Sequence, residues 1–332
     1  MTATATDAVP GAAPATRRAR IGWGDLAWLT WRQHRWAIVG LLVAVLLAVV
    51  AALGIAWHVD AAGRAGELFG RWRILGVAQV LLLAPMTIGL AVAVFWAAPL
   101  LSREYEQRTH LVVWSQDVTP ARWLTGKVVL LGVPAVVLSV GLGLASIKLM
   151  NSVNAVSSRY LPFGPFEPPA FDVTPLMQAG YSAFGFALGL ALSAVTRRTV
   201  LSMGLALGSF IAVRGLVMGL WRPYFQDPVR VVESYDAYQS SWDGPAPDSW
   251  TVNSGFADAA GNEIPFPGTC ADIQDSAAYV KCMEDSDVRF FTDYHPAERF
   301  GAFQLYEFAI FAVLAAALFA LAFARVSRTR RV

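Results

Sequence analysis

Apolar residues fall into six long uninterrupted runs, at residues 37–57, 74–101, 128–147, 176–195, 199–221 and 302–324. Each is long enough, at about 20 helical residues, to cross ~30 Å of hydrocarbon. Inside a bilayer the backbone must satisfy its own hydrogen bonds, so such runs form helices. The pattern predicts an all-α integral membrane fold with six transmembrane helices over residues 21–325. The second run is overlong and holds Pro85 and Pro99, which predicts a kinked helix projecting beyond the bilayer. Residues 1–20, rich in Ala, Thr, Pro and Arg without an apolar period, form a disordered tail, and 326–332 a short basic one. The first run is longer than the apolar core of a secretory signal, so it is retained as a span. Ahead of it, the Trp-rich stretch WGDLAWLTWRQHRW (23–36) predicts an N-terminal amphipathic surface helix, or else an aromatic belt opening span one.

Composition agrees: 56% of residues are hydrophobic and 15% charged, against about 25% charged in soluble domains. Charge sets the orientation. The segments on the N-terminal side of the bilayer hold 15 basic and 5 acidic residues, the opposite ones 10 basic and 18 acidic. Lys and Arg favour the cytoplasm, so both termini are expected there. Residues 222–301, with 14 acidic side chains, then form a small extracellular cap between helices five and six, read as loops and short helices. The only cysteines, Cys270 and Cys282, fall in this cap, where an oxidising exterior favours a structural disulfide. Two cysteines without a nearby histidine pair make a poor metal site, and no metal is expected.

Between spans two and three the chain turns polar. Ser102–Gln107 continues span two as a polar helix, and Thr119-Pro120 starts the next, with Thr as cap and Pro in the first turn. Residues 108–118 contain the apolar string THLVVW, suited either to a short helix docked in a partner's groove or to a loop anchored on the membrane by Trp114. The strings EYEQRTH, WSQDVTPARWLTGK and, at 294–307, YHPAERFGAFQLYE resemble permease subunits of ABC exporters, specifically the type 2 export superfamily as found in actinobacteria. The resemblance implies that the 101–127 elbow carries a cytoplasmic coupling helix that contacts a separate ABC ATPase subunit. Glu104, Glu106 and Thr109 stand at the matching positions, with His110 and Trp114 completing the coupling set and Arg108 where the family has glycine. It further implies export through a homodimer or heterodimer of permeases in a bacterial plasma membrane. ATP and Mg would be held by the partner; the chain itself would bind no cofactor and no nucleic acid. The nearest string to a phosphate-binding loop, ARWLTGKV, lacks both the leading glycine and the final hydroxyl. No enzymatic activity is therefore expected of this chain.

Two ionisable residues lie within spans, Arg214 in the fifth and Glu307 in the sixth, at similar depths. An isolated charge there costs at least ~2.5–3.5 kcal/mol, which predicts an Arg214–Glu307 ion pair unless both reach the outer headgroups. Gly185-x-x-x-Gly189, Gly204-x-x-x-Gly208 and Gly215-x-x-x-Gly219 permit close helix approach, within the chain or at a dimer seam. Two other classes remain as alternatives. One is a receptor or sensor using the acidic cap. The other is a membrane-embedded enzyme, for which the scattered histidines give no motif.

Overall fold

The computed structural model describes residues 22–63, 67–109, 118–156, 161–234, 248–265, 268–270 and 272–328. The predicted tail 1–20, the coupling residues His110 and Trp114, and residues 329–332 lie outside them. Among the described residues six helices are long and apolar enough to cross a membrane: span one Trp23–Ala62, span two Ile74–Glu106, span three Pro120–Val156, span four Pro175–Thr196, span five Thr199–Tyr224 and span six Ala297–Arg328. The chain is a multi-pass membrane protein.

Span four is the hub. It packs against spans two, three, five and six, and its apolar stretch is the most buried of the six. Arg122 lies over the Trp23 ring, and Val326 shares a core cluster with Val118 and Leu124. Both described chain ends therefore sit at the end of the bundle that carries the 101–127 elbow, called the elbow end below; the opposite end carries the cap.

Span one runs unbroken for 40 residues, about 60 Å at 1.5 Å per residue. Residues 23–36 are thus its opening turns and not a separate surface helix. The physical reason is local: no Gly or Pro stands between Asp25 and Val39 to end the helix. Trp23, Trp28, Trp31 and Trp36 are all at least half exposed along this extension.

Among the described residues three spans contain a π-helical stretch: Val92–Ala97 in span two, Val128–Gly132 in span three and Val217–Trp221 in span five. Each is followed, two residues later, by a proline: Pro99, Pro134 and Pro223. Proline cannot donate to the carbonyl four residues back and its ring crowds that carbonyl. Widening the preceding turn relieves the clash, and such turns are sites where helices bend; in span two the π turn precedes Pro99, while Pro85 lies within the α-helix Glu67–Ala91.

Among the described residues the cap is built on a four-stranded antiparallel sheet, order β1-β4-β2-β3, from β1 Val229–Ser234, β2 Trp250–Ala257, β3 Glu263–Ile264 and β4 Arg289–His295. This replaces the expectation of loops and short helices. β1 and β4 are rich in β-branched and aromatic residues, which fit a pleated surface. A disulfide joins Cys270 to Cys282 on the helix Ser276–Asp285, with Cα atoms 5.9 Å apart. His295, fully buried at the end of β4, fastens the cap to the bundle. Its Nε2 lies 2.9 Å from the Pro223 carbonyl of span five, and its Nδ1 3.2 Å from an Arg299 nitrogen of span six. Arg299 can only donate, so Nδ1 accepts and Nε2–H donates. Burial and then the Arg299 charge hold this imidazole below the usual histidine range, against the opposing hydrogen bond to Pro223.

Candidate functional site

Two polar centres are buried in the bundle, one at each end. At the elbow end Thr119 caps the first turn of span three, its Oγ1 accepting from the Arg122 amide at 3.3 Å with Pro120 at the first helical position. The helix so started carries Lys127 inward, where its Nζ forms a buried ion pair with Glu104 of span two and lies 5.1 Å from the Trp123 ring centre. Glu104, expected to face the partner, turns into the bundle: the long Lys127 side chain reaches it across a core shared by Leu101, Tyr105, Trp123 and Leu124, and a lone Lys127 would be a buried unpaired cation.

Glu106, two residues on, takes a different partner. Its carboxylate accepts from the Thr199 amide at 2.9 Å and from the Thr199 hydroxyl at 2.7 Å, placing an anion on the amino terminus of span five. Ser193 Oγ of span four accepts from the Leu101 and Ser102 amides at 3.1 and 2.6 Å, groups just past the π turn and Pro99. Arg197 lies 5.1 Å over the Tyr105 ring. Thr109 is exposed at the edge of the described elbow. Before it Arg108 has φ 56°, a left-handed conformation that glycine adopts most readily.

The pair at the elbow sets a test. Glu104→Gln leaves Lys127 charged and buried, and is expected to cost about 3–5 kcal/mol of stability. The exchange Glu104→Lys with Lys127→Glu restores most of it. Thermal unfolding of the purified chain reads both, and a Glu104→Gln chain as stable as the wild type removes the pair from the account.

At the cap end, Arg222 of span five donates from Nε to Glu307 Oε2 at 2.7 Å and from Nη2 to Glu307 Oε1 at 2.9 Å and Asp172 Oδ1 at 2.7 Å. The Tyr181 hydroxyl of span four stands between the same two carboxylates, 3.0 Å from Asp172 Oδ1 and closer to Glu307 Oε1. The Arg222 guanidinium lies 4.0 Å from the Phe171 ring centre. Arg214 reaches Asp172 Oδ2 at 3.2 Å, donates to the Met86 carbonyl of span two at 2.6 Å, and lies over the Tyr181 ring. Two arginines face two carboxylates, so the cluster is neutral as a whole, as burial demands. Burial works against the Asp172 carboxylate, yet Arg222 and Arg214 beside it hold its carboxyl below the ordinary range.

The expected Arg214–Glu307 pair does not form. Depth along the helices was a sound guide, but helical phase decides partners. Arg214 faces Asp172, and the π turn Val217–Trp221 lies between it and Arg222, which takes Glu307. Sequence reading missed Arg222 and Asp172 because both fall just outside apolar runs, and missed Tyr181 because a phenol inside such a run counts as apolar. The signal present was a polar handle deep in a span, which needs a partner when buried.

The three glycine pairs also separate. A Cβ at Gly185 would meet the Gly89 carbonyl oxygen at 2.3 Å and one at Gly189 the Ala93 carbonyl oxygen at 2.4 Å, so this pair seats span four on span two. Gly204, Gly208, Gly215 and Gly219 have open space beside them.

A comparison with curated proteins finds no match for the chain. Residues 60–222, just under half of it, match the family model described as ABC-2 membrane transporter related. The matched stretch takes in the elbow, the Glu104–Lys127 pair and every member of the cap-end cluster except Glu307. With the six apolar helices, this similarity supports a membrane permease of the ABC-2 transporter type.

Proposed function

We propose that the chain is the membrane subunit of an ATP-driven exporter, gripped at its elbow by a separate ABC ATPase and working as a pair of permease subunits. The elbow end and both termini face the cytoplasm of a bacterial cell, and the disulfide-bearing cap faces outward. ATP and Mg belong to the partner; this chain supplies the path and the lever.

One observation carries the reading: the elbow is welded to three spans at once. Glu104–Lys127 joins spans two and three in a buried pair, and Glu106 holds the amino terminus of span five. A force applied to Thr109 and the residues after it is therefore delivered to several helices together, which a passive surface loop would not need. Glu104 serves this role from inside and Glu106, itself exposed, from the rim, both by stiffening the handle, while Thr109 belongs to its exposed surface. His110 and Trp114 complete that surface by resemblance to type 2 export permeases.

The experiment uses a single reporter cysteine. Cys270 and Cys282 are joined to each other, so Thr109→Cys supplies the one reactive thiol. A membrane-impermeant maleimide applied to intact cells is expected to leave it unlabelled, and to label it after permeabilisation. Co-expression with an ABC ATPase encoded beside the chain should protect the thiol and yield ATP turnover that the chain alone lacks. Labelling from outside, or transport by the chain alone in liposomes, overturns the proposal.

A further inference from the structure

Span five is held to the bundle over little surface. Its outward face is bare, with Val200 84%, Ile211 56% and Leu220 63% exposed, and four glycines there meet nothing. Its inward seam is narrow, built on Ser202, Ala206, Phe210 and Val217. Apolar seams between helices in a bilayer resist sliding weakly, because lipid tails offer each side chain an equally apolar surface. Polar bonds resist it strongly, because a broken one stays unsatisfied in hydrocarbon.

Those polar bonds occur at two levels, and both reach span two. At the elbow end Ser202 Oγ donates to the Ala98 carbonyl at 3.1 Å inside the seam, and the exposed Glu106 carboxylate adds charge-assisted bonds to Thr199 at its water-facing edge. Toward the cap end Arg214 donates to the Met86 carbonyl at 2.6 Å. We infer that spans two and five are one moving unit, with Glu106 and Arg214 as the positioning residues that fix their register. Arg214 also hands the displacement on. Its second nitrogen is on Asp172, which shares Arg222 with Glu307. A shift of the elbow thus reaches span six and the base of the cap through one continuous polar line. The inference deepens the coupling reading and rests on it only for the source of the force.

The test places spin labels at Phe95→Cys in span two and Ile211→Cys in span five, both exposed at 68% and 56%, in the full chain in lipid nanodiscs. A second pair, Phe95→Cys and Val313→Cys, reports span two against span six. Arg222 and Glu307 tie span six to span five at the cap end alone, so when the ATPase partner and ATP with vanadate are added the 95–211 distance, held at two levels, is expected to stay fixed, while 95–313, held at one, changes. Glu106→Ala with Arg214→Met should let span five slip by up to one helical turn, about 5 Å. Glu106→Gln, which keeps a donor and an acceptor for Thr199, should restore the register at the elbow end. Thr199→Val removes one bond without stranding a charge, and should broaden the 95–211 distribution even if the double variant does not fold. A 95–211 distribution in Thr199→Val and in the folded double variant that superimposes on the parent overturns the inference. If 95–313 never responds to nucleotide, the coupling reading fails, and the comparison of 95–211 at rest still decides the fastening.

Discussion

Arg222→Met is expected to destabilise the purified chain by about 3–5 kcal/mol, the usual consequence of removing one partner from a buried ion pair. Arg222 is 2% exposed, donates four hydrogen bonds, and with the Tyr181 hydroxyl bridges Asp172 and Glu307. Without it two buried carboxylates face Arg214 alone. In the wild type the Asp172 carboxyl is held below its ordinary value of 3.8. Its contribution to stability therefore stands at neutral pH and is lost only as pH falls through that lower value. In the variant Asp172 keeps only Arg214, so that contribution shrinks, and the gap to the wild type should be widest at neutral pH and narrow as pH falls through the lowered value. Glu307→Gln added to Arg222→Met removes the stranded charge and should recover part of the loss. Arg222→Lys should recover less, since a compact ammonium cannot reproduce the planar fork that serves two carboxylates. Thermal unfolding at several pH values measures all three. An Arg222→Met chain within about 0.5 kcal/mol of the parent would mean the cluster contributes nothing as an ion pair.

The parts legible in the sequence are those set by one-dimensional chemistry. Hydropathy located six spans because crossing a bilayer needs only length and apolarity, and Thr119-Pro120 located a helix start because capping is local. What escaped depends on which face of a helix points where. Arg214 and Arg222 lie on one helix with a π turn between them, and that turn separates their partners. Lys127 and Glu104 meet only because the long lysine side chain reaches across a shared core, and neither residue's neighbours in sequence announce the other. Arg222 illustrates a further limit: the apolar run stops at Trp221, yet helical structure continues to Tyr224 and carries the arginine inward. In the cap the strands were hidden. Val229–Ser234 and Arg289–His295 pair along their length, but VRVVES and RFFTDYH carry no strict apolar alternation, which is the pattern that marks a strand in sequence.

The glycine strings make the same point as a measurement, and their contrast is the second large effect. Gly189→Ala would push a methyl against the Ala93 carbonyl oxygen at 2.4 Å and the Ala98 nitrogen at 2.8 Å, both backbone atoms of span two in and beside its π stretch. Gly185→Ala meets the Gly89 carbonyl oxygen at 2.3 Å. Backbone cannot rotate away, so the two helices must separate, and overpacking of this kind costs about 1–3 kcal/mol per site. Gly204→Ala and Gly208→Ala carry the same spacing on span five with nothing within 4 Å, and should stay within about 0.5 kcal/mol of the parent. The consequence at Gly189 extends beyond stability. One turn further along span four, Ser193 Oγ accepts the Leu101 and Ser102 amides of span two. Forcing span two outward at Ala93 strains those bonds and shifts Glu104 and Glu106 with the rod that carries them. Gly189→Ala should therefore depress ATP turnover by the reconstituted pair of subunits at temperatures where the chain is still folded, while Gly204→Ala leaves it unchanged. Equal behaviour of the two substitutions in both assays would show that the close seam between spans two and four does not transmit the elbow's position.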